Sequence, residues 1–256
     1  MQNNIQEIKA AFSAQAARFN DYQKDAFKTA FTRKMIGSLG LNGNEHVLEV
    51  AAGTCALGRL IAPHVAHITE LDITEAMLSA GKAANQDAGI QNAAYIIGNA
   101  EALPFGDAVF DVVATRLSFH HFRNPETVMR EMIRVLKPGG RLAILDMVPP
   151  DEALRDRFDH YETLRDASHV RCLTLTELSA MMEAAGLNVV KTDGEVLPMN
   201  LRSWLSLTNP DPAVQREIRD ALAEELSGGE ACGISPYMEN GEIMFHRHWM
   251  YVIGRE

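Results

Sequence analysis

The sequence predicts an α/β fold, a mostly parallel sheet covered by helices on both faces. Apolar runs alternate with helical patterns between residues 46 and 146. The first apolar run, His46 to Val50, ends in a turn of small residues, Ala51 to Cys55, and a helical pattern follows. The second apolar run ends in an acid, Asp72. Strand–helix alternation of this kind places parallel strands side by side with their crossover helices on the two faces.

In chain order, Ile5, Ile8, Phe12, Ala16 and Phe19 recur at helical spacing, as do Phe27, Phe31, Met35 and Ile36. Gly40 stops the second of these helices. Strands are expected near 46–51, 67–72, 94–98, 109–115 and 140–146, with helices near 56–64, 74–88 and 125–136. The turn Lys137 to Gly140 joins a helix to the fifth strand. Residues 151–185 read as mainly helical and end at Gly186. A strand near 188–197, a helical segment around 201–227 and a last strand at 242–253 complete the chain. The last strand is expected beside the strand at 188–197, with the helices between them as an insertion. No low-complexity tract or internal repeat interrupts the pattern.

Composition narrows the function. A hydrophobic share of 46% is enough for a full core, and 23% charged residues argue against long disorder. A net charge of −10 without a basic stripe argues against a nucleic-acid partner. No apolar run reaches membrane-spanning length, and the first residues do not read as a signal peptide. Cys55, Cys172 and Cys232 are far apart and form no CxxC pair, which fits a reducing cytoplasm.

The turn from Val47 to Gly58 and the acid Asp72 carry the chemistry. Backbone that approaches a ligand closely demands small side chains, and Ala51, Ala52, Gly53, Thr54 and Cys55 meet that demand. Asp72 is placed to accept from two ribose hydroxyls. A dinucleotide site wants G-x-G-x-x-G and a pyrophosphate on the helix N-terminus. Here Glu49 precedes the turn and would repel a pyrophosphate, whereas it suits a ligand with a cationic end.

Taken together, LEVAAGTCALG, LDITEAML, GNAEALPF, FDVVATRLSFHHF and EMIRVLKPGGRLAILD resemble the class I S-adenosylmethionine-dependent methyltransferases. Within that class the chain looks like the ubiquinone/menaquinone C-methyltransferase-like group of small-molecule enzymes. Leu164 to Arg171, LRDASHVR, is similar to a segment in a bacterial branch of that group. The resemblance implies a Rossmann-like, seven-stranded, mostly parallel sheet with an antiparallel last strand and a helical lid. It implies one domain over 1–256: a helical cap at 1–40, a cofactor-binding core at 41–150, and acceptor-side helices, a lid insertion and the last two strands at 151–256. Ala51 and Cys55 stand where the family usually has glycine, and Asn99 where it commonly has aspartate. The Asn99 carbonyl can still accept from an adenine amino group.

The resemblance also assigns roles. Glu49 and Gly53 lie under the methionine moiety of S-adenosylmethionine, and Ala51 is a further cofactor-binding residue; Asp72 holds the ribose, with Ile73 beside the adenine; Asn99 and Ala100 read the adenine edge. Thr115 and Arg116 border the methionine and the reacting centre, and Phe19 and Tyr22 close over the cofactor. The reaction is an in-line displacement at a sulfonium methyl, so alignment and water exclusion matter most. If a base is required, His120, His121 and His169 are the candidates. Tyr161, His169 and Arg171 are expected to face the small-molecule acceptor. His246 and His248 share a strand face without a third ligand, so no metal is expected. A thiol-bound metalloid acceptor served by Cys172 and Cys232, a non-catalytic S-adenosylmethionine-binding regulator and a nicotinamide dehydrogenase are the competing readings.

Overall fold

A computed structural model of the chain describes residues 9, 12, 13, 16, 19 and 26–256. Phe12, Ala16 and Phe19 are helical there; Ile5, Ile8 and Tyr22 lie outside the described residues. The strands are β1 (His46–Val50), β2 (His67–Asp72), β3 (Ala93–Ile97), β4 (Phe110–Arg116), β5 (Leu136–Val148), β6 (Asn188–Asn200), β7 (Pro236–Glu239) and β8 (Glu242–Arg255). They form one sheet in the order β3-β2-β1-β4-β5-β8-β6, with β7 paired to β8 off that path. Strands β1 to β5 pair in parallel, and β8 runs antiparallel to β5 and β6. The seven-strand path, the reversed last strand and its pairing with residues 188–200 match the expectation from sequence.

Eight helices among the described residues cover the sheet: α1 (Ala26–Ser38), α2 (Ala56–Ile61), α3 (Glu75–Asp87), α4 (Pro125–Arg134), α5 (Arg155–Arg165), α6 (Leu175–Ala184), α7 (Leu201–Thr208) and α8 (Pro212–Leu226). Alternation along β1 sends Val47 to one face and Leu48 and Val50 to the other. The Val47 face packs Met35 of α1, Ile61 of α2, Phe158 of α5, Trp204 of α7 and Leu222 of α8. The Leu48 face packs Val128 and Met132 of α4 and Leu178 and Met182 of α6. Both faces of the central strands are therefore buried, which explains why they read as nearly unbroken apolar runs.

The structure corrects four boundaries. Strand β7 was not expected; it forms a hairpin with β8 through Asn240 and Gly241, both at positive φ, the turn that an Asn-Gly pair favours. Lys137 to Gly140 lies inside β5 rather than before it, with Gly139 at φ 74 and a register shift against β4. The 151–185 segment is broken between α5 and α6, where the Asp166 carboxylate accepts from the Ser168 backbone N–H and turns the chain out of the helix. The 201–227 segment is two helices, because Asn209 adopts φ 49 and the prolines at 210 and 212 follow.

Candidate functional site

The order of strands reverses between β1 and β4, and ligands on open α/β sheets bind at such a switch point, beyond the carboxyl ends of the strands. Residues 51–55 run from β1 to α2 there. Ala51, Gly53 and Cys55 all take the left-handed conformation, at φ 55, 53 and 57. Two of the three carry a side chain in a region that costs about 1–2 kcal/mol per residue. The turn has therefore kept a glycine-type backbone at positions where glycine is absent. At Gly53 it is this backbone shape that matters and not crowding, since a Cβ would meet only Met77 Cε, at 3.4 Å. Crowding operates instead at Gly81 of α3, where a Cβ would lie 2.5 Å from Cys55 Sγ.

Asp72 locks this turn to the end of β2. Its Oδ2 accepts the Gly53 N–H at 2.7 Å and its Oδ1 accepts the Thr74 N–H at 2.7 Å. Burial raises its pKa, and these donors partly offset that rise. Glu49, at 2% exposure, accepts the Gly58 N–H of α2 at 2.7 Å. Asn99 Oδ1 accepts the Glu101 N–H at 3.0 Å, which shapes the loop after β3. Cys55 sits at the start of α2, yet burial pushes its thiol up, with Glu70 and Glu49 adding to the rise. The helix N-terminus does not activate it.

Across the switch point, Leu117 at φ 53 bends the chain sharply after β4. A leucine in that region is strained, and strain of this kind gathers at functional sites. Arg116 stands just before it. Its Nε donates to Thr32 Oγ1 of α1 at 3.1 Å, and its guanidinium lies 5.3 Å from the Trp249 ring. Thr115 is fully buried; its hydroxyl donates to the Val50 carbonyl at 2.7 Å and ties β4 to β1.

His120 and His121 diverge. His120 is buried, with Nδ1 2.6 Å from Asp146 Oδ1 on β5. Burial alone would raise Asp146, but the charge of His120 and its hydrogen bond hold that carboxyl below its usual value. His121 Nδ1 is 3.0 Å from the Ser168 carbonyl, which can only accept, so Nδ1 carries the hydrogen. The neutral ring then has its lone pair on Nε2. Burial, followed by the neighbouring His120, pushes the His121 pKa down to about 3.

One cavity of about 300 Å³ brings these elements together. Phe19, Glu49, Ala51, Gly53, Asp72, Ile73, Asn99, Ala100, Arg116 and His121 all line it. Phe12 lines it too and meets the His121 ring edge-on at 5.0 Å. Its size is at the lower end for small-ligand pockets. Thr115, His120, His169, Tyr161 and Arg171 are not among its lining residues. Tyr161 packs on the α5 side of the core, and Arg171 is half-exposed, 3.7 Å from Asp156. His169 is buried behind His120, their rings 5.6 Å apart, with Nε2 2.7 Å from Asp159 of α5.

Several residues that sequence reasoning passed over stand behind the cavity without lining it. Glu70 lies directly opposite Glu49 in the β1–β2 register. Its signal was a charged residue inside an apolar run. Asp146, Asp159 and Ser168 hold the three histidines. Glu162 of α5 is buried against Arg247 of β8 at 2.6 Å, and Arg247 and Arg165 both lie over the Trp204 ring. Asp159, His169 and Cys172 place ligand-type atoms within 4.8 Å of one another. Burial raises the Cys172 and Cys232 thiols, so neither favours the thiolate that a metalloid would need.

A sheet of this order with an acid-anchored turn at its switch point defines an α/β nucleotide-type binding protein. Comparison with known proteins makes the class specific. Residues 48–144 match the methyltransferase domain family. The uncharacterized methyltransferase YcgJ of Bacillus subtilis (strain 168) is 33% identical over 172 residues, which span 67% of this chain and 68% of that protein. The crystal structure of YcgJ covers 88% of this chain and 97% of its own, with 27% identity and a TM-score of 0.78. The ubiquinone/menaquinone biosynthesis C-methyltransferase UbiE of Photorhabdus laumondii is 30% identical over 209 residues, 73% of this chain and 83% of that enzyme. The chain belongs to the class I S-adenosylmethionine-dependent methyltransferases, and S-adenosylmethionine is its cofactor. The residues present fit that group: each Asp72 oxygen takes one backbone N–H and keeps a lone pair for a hydroxyl, and a buried acid lies beside the turn.

Proposed function

We propose that this protein transfers a methyl group from S-adenosylmethionine to a small-molecule acceptor. The single observation behind the reading is the shared cavity, with Asp72, Asn99 and Glu49 toward β1 and β2 and Arg116 and His121 beyond β4. When bound, S-adenosylmethionine supplies a methyl group activated by the sulfonium charge. Asp72 would hold the ribose hydroxyls, Asn99 and Ala100 the adenine edge, and Glu49 with the Ala51–Gly53 turn the methionine end. Phe12 and Phe19 would cover the cavity and exclude water. Arg116, fixed by Thr32 and Trp249, would set the border between cofactor and acceptor.

His121 acts here as an orienting group. A ring held near pKa 3 is a weak base at neutral pH, so its Nε2 accepts a hydrogen bond from the acceptor and aligns it. His120 positions His121 from behind rather than touching the acceptor. His169 and Tyr161 serve the same end indirectly, by packing within the insertion behind His120, and Arg171 is left at the surface beside Asp156. In this reading 41–150 is the cofactor-binding core, 1–40 a cap and 151–256 the acceptor-side region. The relatives named for ubiquinone and menaquinone biosynthesis make a quinone precursor one acceptor worth testing. The cytoplasm is the compartment this reading favours.

Incubation with methyl-labelled S-adenosylmethionine and a size-fractionated cell extract tests the acceptor class. Label is expected in the low-mass fraction. Label entering protein or nucleic acid instead overturns the small-molecule assignment. Asp72→Ala tests the cofactor site: losing hydrogen bonds to a charged group costs on the order of 1.5–3 kcal/mol, so calorimetry should show affinity for S-adenosylhomocysteine about ten- to a hundred-fold weaker. Unchanged affinity removes Asp72 from the site.

A further inference from the structure

Two carboxyl groups converge beneath the methionine end of the cavity. Glu49 on β1 and Glu70 on β2 are register partners on one face of the sheet. Both are buried, Glu70 completely. Both point to Gly58: its N–H donates to Glu49 Oε2 at 2.7 Å, and a Cβ added to it would fall 2.0 Å from Glu70 Oε1. Gly58 thus leaves the room that the second carboxyl fills. Neither Glu70 oxygen meets a donor in full hydrogen-bond geometry among the described residues, while the Glu49 and Asn85 side chains lie close enough to lower its carboxyl against burial. The nearby cation, Arg59 of α2, is committed elsewhere, to Asn85 Oδ1 at 2.6 Å and the Thr54 carbonyl at 3.2 Å.

Two acids in contact in a dry site cannot both ionise without strong repulsion, so together they retain a proton. We propose that Glu49 and Glu70 form a proton-sharing pair that adjusts its charge to the bound ligand, giving up its proton when a cationic ligand sits over Glu49. The proposal rests on the cofactor reading above and adds Glu70 to it as a specificity-determining residue. S-adenosylmethionine carries a sulfonium charge that its product lacks. The pair therefore favours reactant over product: the O–H bond of the shared proton breaks, the proton leaves to bulk buffer through the cavity that Glu49 lines, and the remaining carboxylate charge faces the cation.

The charged and titratable groups around the pair support this direction. Burial raises both carboxyls, and for Glu49 the charge and contact of Glu70 add to the rise. Arg59 from α2 and Arg116 from β4 pull against it without removing it. Cys55 in the turn and Tyr95 on β3 are themselves raised, first by burial and then in part by Glu70, so neither supplies a charge.

Calorimetry in buffers of different ionisation enthalpy tests the proposal on the intact protein. Binding of S-adenosylmethionine is expected to release a proton fraction approaching one, and S-adenosylhomocysteine clearly less. Affinity for S-adenosylmethionine should rise with pH, by up to about tenfold per unit while the pair keeps its proton. In Glu70→Gln the amide donates to Glu49 and the charge of Glu70 is gone, so the proton release and the pH slope diminish to what burial of Glu49 alone supplies. Should that variant fail to fold, the wild-type buffer series still decides, together with loss of the protonated-carboxyl C=O band in infrared difference spectra on adding S-adenosylmethionine. Binding of S-adenosylmethionine with no proton release, or undiminished release in Glu70→Gln, overturns the pair while leaving the cofactor reading intact. Absence of binding by either ligand overturns both.

Discussion

The β1–β2 side of the cavity and the β4–β5 side are built by different means. On the first, short-range backbone geometry does the work: three left-handed residues within five positions, and one carboxylate that takes two backbone N–H groups. On the second, side chains brought from distant segments do it: His120 with Asp146, His121 with Ser168, His169 with Asp159, and Glu162 with Arg247. A binding surface for a fixed cofactor can be written into one turn. On the second side only His121 of these groups lines the cavity, and the insertion behind it is positioned by tertiary packing alone.

The comparison breaks most visibly at Gly53. A valine there would have to adopt φ 53, which a β-branched side chain resists, and the Asp72 anchor would shift. Binding of S-adenosylhomocysteine to Gly53→Val should fall more than about a hundredfold. Circular dichroism should show the fold largely kept. Near-normal titration would show that the turn does not hold the cofactor.

On the other side, Arg247→Met should leave Glu162 buried beside Arg165 alone. Burial would raise Glu162, but Arg247 and then Arg165 hold its carboxyl below the usual value. Removing one partner of such a pair costs about 3 kcal/mol or more. Thermal unfolding should report that loss while cofactor affinity stays within about twofold. An equal loss of both would mean that the two sides are one unit.

A smaller effect concerns pH. The unfolded His121 takes up a proton near pH 6.5, whereas the folded ring resists until about pH 3. The folded protein therefore carries this contribution above pH 6.5 and loses it as pH falls toward 3, by on the order of 1 kcal/mol per unit. Asp166, held at about 2 mainly by His121 and Arg165 against its burial, adds loss only below about pH 4. Between pH 4 and 6.5, His121→Gln should flatten the stability profile relative to wild type. Parallel profiles would show that His121 is not held neutral.

The smallest effect is a gain. Ala51→Gly relieves a left-handed alanine, worth up to about 1 kcal/mol, or roughly 2–4 °C in melting temperature for a chain of this size. No change in melting would mean that the turn is not strained at Ala51.

What could be read from sequence follows the same division. Glu49, Gly53 and Asp72 were legible because parallel strands and their turns place near neighbours in chain at the switch point. Asn99, Arg116 and His121 were reached through the family resemblance, which set them just after strand ends, and all three line the cavity. His169, expected as a base or acceptor contact, does not line the cavity but is buried against Asp159, on a helix whose rotation no local pattern records. Glu70 was missed because a period-based reading sees one acid in an apolar strand, whereas its meaning comes from the register with Glu49. The β7–β8 hairpin carried its Asn240-Gly241 signature and went unread in a segment taken as connection.

The most direct test of the division is a crystal structure with S-adenosylhomocysteine. The account places the ribose on Asp72, the adenine against Asn99 and Ala100, and the sulfur toward Arg116 and His121. A ligand whose sulfur points away from His121, or one seated outside the Asp72–Asn99 wall, contradicts it.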